Sequence, residues 1–181
     1  MLLLVAAAAN PNVAPGVPMA IHIDYKLDPE TVIGPVRAGM LCLPNGKLRW
    51  RDLRLPGLLD SQALVARALA SGGMNVVTRD AGPSKRGGFI NLAIETAHLR
   101  LCMPGLSGVV GKPRGEGNMR LHWQLSDSDG KPIGGAFISE TPLSAAGEDP
   151  RRSTGMMERA LLQGSDEFAR YWRAHQSLPL P

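Results

Sequence analysis

Several short stretches of the chain alternate apolar and polar residues with period two, the spacing that puts successive side chains on opposite faces of a strand. In 20–27 (AIHIDYKL), Ile21, Ile23, Tyr25 and Leu27 share one face, while His22, Asp24 and Lys26 share the other. Two further runs, 36–43 and 47–53, flank Pro44-Asn45-Gly46. Pro presets φ for a turn and Asn-Gly tolerates positive φ, so the spacing predicts a hairpin turning at 44–46. A short strand is expected at 75–78, and a long one at 89–102 whose facing changes midway. Ile90, Leu92 and Ile94 are even-numbered, whereas Ala97, Leu99 and Leu101 are odd. One extra residue near Thr96, a β-bulge, reconciles the two halves. In 118–126, Met119, Leu121, Trp123 and Leu125 point to the core. The Asp127–Gly130 turn then returns the chain along 132–141 as a second hairpin.

Two segments carry helical periodicity instead. Residues 60–71 (DSQALVARALAS) place Leu64, Val65, Ala68 and Leu69 on one stripe, with Asp60 or Ser61 available as N-cap and Gly72-Gly73 as the stop. A second amphipathic helix is expected from a Ser153 or Thr154 cap to about His175. Its inward stripe is Met157, Leu161, Gly164, Phe168, Trp172 and His175. Two helices packed on a mostly antiparallel, twisted sheet of six to seven strands make an α+β domain over 19–176. Loops are expected at 80–88, 103–117 and 143–152, with a helix-stopping tail at 177–181.

The chain's 181 residues suit one domain, and 44% hydrophobic with 20% charged residues argues against disorder. The apolar start MLLLVAAAA is too short to span a bilayer. It reads either as the remnant of a secretory signal ending in an A-x-A site or as an ordinary apolar terminus. The Pro-rich stretch 10–18 behind it is expected to be an extended linker. No Cys follows the apolar run, so no lipid anchor is expected there. The two cysteines sit in parallel contexts, Leu41-Cys42-Leu43-Pro44 and Leu101-Cys102-Met103-Pro104. They form either a disulfide, in an oxidising compartment, or two buried free thiols. The absence of CxxC or clustered Cys and His argues against zinc.

The net charge is +4, and its densest concentration is Lys47, Arg49, Arg51 and Arg54. The first three alternate and so project from one face, a stripe suited to an anionic lipid surface or an acidic protein partner. With 3 Phe, 3 Trp and 2 Tyr and no recognition-helix motif, nucleic acid is disfavoured. The run 105–113 (GLSGVVGKP) fails as a phosphate loop because its first Gly is misplaced and Pro113 stands where a metal-binding hydroxyl belongs. Val109 breaks the pattern of a nucleophile elbow around Ser107. His22, Asp24 and His122 all point outward from strands. On adjacent strands they could bind a metal or act as base and orienter, which defines the enzymatic alternative: a small hydrolase or metal-dependent enzyme.

The order of elements from residue 20 to 174, with 64–73 (LVARALASGG), 121–125 (LHWQL) beside Asp127 and Gly130, and the late aromatics of 168–172, resembles the auxiliary component of ABC-type envelope transport systems. More loosely, it is similar to the periplasmic part of curli-type secretion proteins. The resemblance implies a non-enzymatic, cofactor-free periplasmic or secreted accessory protein that docks on envelope machinery or binds lipid-like ligands. The expected contact surface is Lys47, Arg49, Arg51 and Arg54 together with the loop 105–117.

Overall fold

The computed structural model describes residues 18–77, 87–104, 112–145 and 147–176. The expectations placed on 1–17, on most of the 80–88 loop, on 105–111 and on the tail 177–181 lie outside these residues. Among the described residues, seven strands form one sheet: β1 (Met19–Tyr25), β2 (Val32–Ala38), β3 (Leu43–Arg49), β4 (Val76–Val77), β5 (Gly88–Met103), β6 (Arg114–Ser126) and β7 (Pro132–Ser144). Two helices accompany them, α1 (Leu58–Ser71) and α2 (Gly155–Gln176).

The long strand β5 organises the sheet. Along one side it pairs antiparallel with β6, which pairs antiparallel with β7. Along the other side it pairs in parallel first with β1 and then, near its end, with β2. The sheet is therefore mixed: three ladders are parallel and three antiparallel. This α+β class matches the alternating patterns, but the parallel pairings could not be read from them, since period two reports facing and not direction. The expected phase change in β5 is a register shift between Ile94 and Thr96, which leaves Glu95 as the extra residue.

Both helices pack on the inner face. Ile21, Ile23, Ile90, Leu92, Ile94, Met119, Leu121 and Trp123 meet Val65, Leu69, Met157, Leu161 and Phe168 in one continuous core. Gly164 lets α2 approach the sheet: a Cβ there would lie 2.3 Å from the Leu121 Cδ1. Gly72 similarly admits Ala169 of α2 at the end of α1. Gly73, at φ +90°, stops α1 as its Gly-Gly signal requires.

Three local expectations are corrected. The first hairpin turns at residues 39–42 rather than at 44–46, which lie inside β3. Gly39 (φ 76°) supplies the positive φ, and the Cys42 amide donates to the Gly39 carbonyl at 3.0 Å. Among the described residues β3 pairs with β2 alone, and an edge strand of this kind tolerates Pro44, because alternate backbone nitrogens there face away from the ladder. The start of α1 moves back to Leu58 with Gly57 as N-cap; Ser61, four residues past the cap, is buried and its hydroxyl donates to the Gly57 carbonyl. Strand β6 begins at Arg114, so the tail of the expected 103–117 loop is strand. At the second helix, Thr154 Oγ1 and Glu158 Oε1 lie 2.6 Å apart and the Gly155 amide donates to Ser153 Oγ. His175, expected on the inward stripe, instead sits exposed in the last turn of α2, where the stripe has run past the sheet, its ring centroid 4.0 Å from that of Tyr171.

Candidate functional site

With both helices on one face, the other face of the sheet carries the outward-pointing polar residues. β1 contributes His22 and Asp24, β5 contributes Asn91, Glu95, His98 and Arg100, and β6 contributes Arg114, Glu116, Arg120 and His122. The bulge in β5 makes Glu95 the hub of this surface. At the bulge two successive residues, Glu95 and Thr96, lie between the buried Ile94 and Ala97, so the strand gains an extra side chain off its inner face. Glu95 Oε1 lies 3.2 Å from His122 Nδ1, and Glu95 Oε2 lies 3.5 Å from Arg120 Nε. The phase change in 89–102 is the sequence signal for Glu95, since the extra residue it implies falls there rather than at Thr96.

His22, Asp24 and His122 share this face but do not converge. The register aligns Asp24 with Ala93 and Ala93 with His122, so a whole strand separates the two polar groups. His22 aligns with Asn91, one row further along. Two strand spacings and a two-residue offset put His22 and His122 roughly 12 Å apart at the backbone, too far to share a metal. Among the described residues, no three His, Cys, Asp or Glu side chains come together to hold a metal ion.

The basic residues divide. Lys47 is exposed on β3 opposite Pro35. Arg49 closes β3 and Arg51 sits in the short 3-10 turn after it; both guanidinium groups contact Glu30, Arg49 at 3.1 Å. One carboxylate therefore offsets part of the stripe and fixes its geometry. Arg54 lies beyond the turn, where its amide donates to the Pro150 carbonyl at 2.7 Å. Of the expected contact loop 105–117, Lys112 and Pro113 are described before β6 begins.

Cys42 and Cys102 are joined in a disulfide, with their Cα atoms 5.5 Å apart and 60 residues between them in sequence. Cys102 lies on β5 as the repeated context suggests, but Cys42 lies in the 39–42 turn, at φ 49°. The bond ties the hairpin tip to the central strand. Around it Met40, Leu41 and Leu43 stand 85%, 79% and 61% exposed. The sequence reading missed these three because a strand drawn through to Leu43 would have given them neighbours. A groove of about 570 Å³ runs between β2, β5 and β6, bordered by His98, Arg100, Glu116 and Asn118.

Tyr25, beneath α1, has its phenol pushed upward by burial, partly offset by its 2.9 Å hydrogen bond with Ser61. At the β7–α2 junction, hydrogen bonds from Ser153 and Arg159 hold the Glu148 carboxyl below its usual range. Burial raises Asp149, but the hydrogen bonds and charge of Arg151, with Arg152 nearby, outweigh it and leave that carboxyl lowered too.

No family model matches the chain, and no curated protein does. The resemblance to ABC-type auxiliary and curli-type components therefore stands on the residues quoted for it alone. Solved structures with a similar arrangement include a minor lipoprotein from Acinetobacter baumannii, at 13% identity and TM-score 0.41 over 68% of this chain and 91% of that one. The PelC dodecamer from Paraburkholderia phytofirmans aligns at 15% identity and TM-score 0.40 over 87% of this chain and 92% of its own. A Xanthomonas campestris protein of the family DUF330 aligns at 12% identity and TM-score 0.42, over 91% and 95% respectively.

Proposed function

We propose that this chain is a non-enzymatic accessory protein of a bacterial cell envelope, exported to an oxidising compartment, which works by docking through the surfaces its helices leave uncovered. The observation that carries the reading is the cross-link between Cys42 and Cys102, built into a fold of ordinary size that has a full hydrophobic core without it. Disulfides persist in the periplasm and outside the cell and are rare in the cytosol. The open sheet face supports docking over turnover, because its charged groups are spread across three strands and Glu95 is already taken up by Arg120 and His122. Lys47 and Arg49 on the edge strand β3, with Arg51 and Arg54 after it, are assigned to an acidic protein partner or anionic headgroups.

Two measurements test this. Thiols are counted on protein isolated without reductant, and a photo-crosslinking residue is placed at Lys47 or Arg120, with Arg67 on the outer side of α1 as control. Absence of free thiol and an adduct specific to the sheet-side positions support the reading. Two free thiols in native material, or adducts identical at all three positions, overturn it.

A further inference from the structure

The tip of the first hairpin is built in a way that the core does not require. Three large apolar side chains, Met40, Leu41 and Leu43, fall within four residues and face solvent. Such a cluster marks a contact surface more often than scattered apolar residues do. The turn is also prevented from folding these groups back. Gly39 donates to the Met103 carbonyl at 3.1 Å, the Cys42 amide closes on Gly39, and the disulfide fixes Cys42 against β5. Cys42 is the sole non-glycine residue with positive φ among those described. A strained residue held by a covalent bond beneath exposed apolar groups points to a shape kept for use.

Charge around the tip names the occupant. Arg37 on β2 aligns with Cys102, and Cys102 aligns with Arg114 on β6, so two exposed arginines flank the disulfide in one row across the sheet. Exposed Lys47, aligned with Pro35 on β2, adds to this side; the acid nearest in register, Glu116, aligns with Arg100. Apolar side chains leading and basic ones behind them match the depth profile of an anionic membrane surface, acyl region first and phosphate headgroups next. An acidic protein groove would match the arginines but leave the three apolar groups without a purpose.

We infer that the disulfide-fixed tip Met40–Leu43 is a wedge that inserts into anionic lipid, with Arg37 and Arg114 engaging headgroup phosphates. This deepens the docking reading by naming one surface that the protein meets. Its test uses purified protein and lipid alone, so it fails or succeeds separately from the envelope-partner experiment.

The oxidised full chain is mixed with vesicles of phosphatidylglycerol and phosphatidylethanolamine, and in parallel with phosphatidylcholine vesicles, and partitioning is measured by flotation. Binding to the anionic vesicles, weakened at least tenfold in Met40→Ser/Leu41→Ser and several-fold in Arg37→Gln/Arg114→Gln, supports the wedge. A Leu41→Trp variant reports insertion directly: a blue-shifted emission on anionic vesicles is expected, with none from Leu162→Trp on α2. The tip variants alter exposed groups only, and near-ultraviolet circular dichroism confirms that each keeps its packing. Equal binding to neutral vesicles, binding indifferent to the tip variants, or no binding at all overturns the inference. So does self-association that Met40→Ser/Leu41→Ser abolishes while vesicles remain unbound, since that assigns the tip to a second copy.

Discussion

The rings of Trp123 and Phe168 lie 4.8 Å apart and 6° from parallel, one on β6 and the other on α2. Both are essentially buried, and the Trp123 indole N–H donates to Ser139 Oγ on β7 at 3.2 Å. This contact joins helix to sheet at the centre of the core. Phe168→Ala is expected to cost about 3–5 kcal/mol by opening a cavity. Ser139→Ala, which orphans a buried donor, costs about 1–3 kcal/mol. Urea unfolding of the two variants checks both values, and the larger loss belongs to Phe168.

Two glycines allow β5 to be approached closely from both sides at one level. A Cβ on Gly34 of β2 would lie 2.0 Å from the Leu99 carbonyl oxygen, and a Cβ on Gly117 of β6 would lie 1.8 Å from that of His98. Backbone atoms cannot rotate away as a side-chain tip can. Gly34→Ala and Gly117→Ala are each expected to lose about 2–3 kcal/mol through backbone displacement. Gly130→Ala is the comparison: it meets nothing within 4 Å and suffers only from φ +80°, a cost near 1 kcal/mol. Thermal denaturation should rank the three in that order.

The disulfide's worth follows from the length of chain it closes. Linking residues 60 apart removes about 4 kcal/mol of unfolded-state entropy in the chain-entropy account. Cys42→Ala/Cys102→Ala should therefore unfold at a lower urea midpoint. The slope should rise as well, because the unlinked unfolded chain exposes more surface. Loss of the link should further raise hydrogen exchange at 39–43 well above that of β5.

Alternation carried most of the architecture. The faces of β1, β5 and β6 are as Ile21, Leu92, Trp123 and their neighbours predict, since a one-residue slip would have exposed the whole core. Strand direction was not legible: β1 lies parallel to β5, and no local pattern distinguishes that from an antiparallel neighbour. The hairpin moved because Pro44-Asn45-Gly46 is a strong turn signal locally, while Gly39 and the covalent tie at Cys42 decide the turn through a contact sixty residues away. For the same reason Glu95 and the Met40–Leu43 tip were overlooked. Their roles depend on what lies opposite in the sheet, and cross-strand registers are tertiary information. Conversely, the grouping of His22, Asp24 and His122 failed on register alone, with Ala93 standing where a shared ligand would have to be.

The junction between β7 and α2 should weaken in acid. Asp149 accepts from the Arg151 backbone amide and from its guanidinium at 3.0 Å, and Glu148 accepts from Ser153 and Arg159. Both carboxyls titrate below their usual range when folded. The folded state therefore holds its protons less tightly than the unfolded chain, and stability rises with pH through that window. The contribution is complete above the unfolded carboxylate pKa near 4 and disappears as pH falls through the lowered folded values. Arg54 donates to the Pro150 carbonyl here, so release of the junction also loosens the segment after the 3-10 turn. Denaturation midpoints measured from neutral pH down to about pH 3 should fall for the native chain, and Asp149→Asn should flatten part of that slope while lowering stability at neutral pH. A profile unchanged by Asp149→Asn would show that this carboxylate carries none of the acid sensitivity.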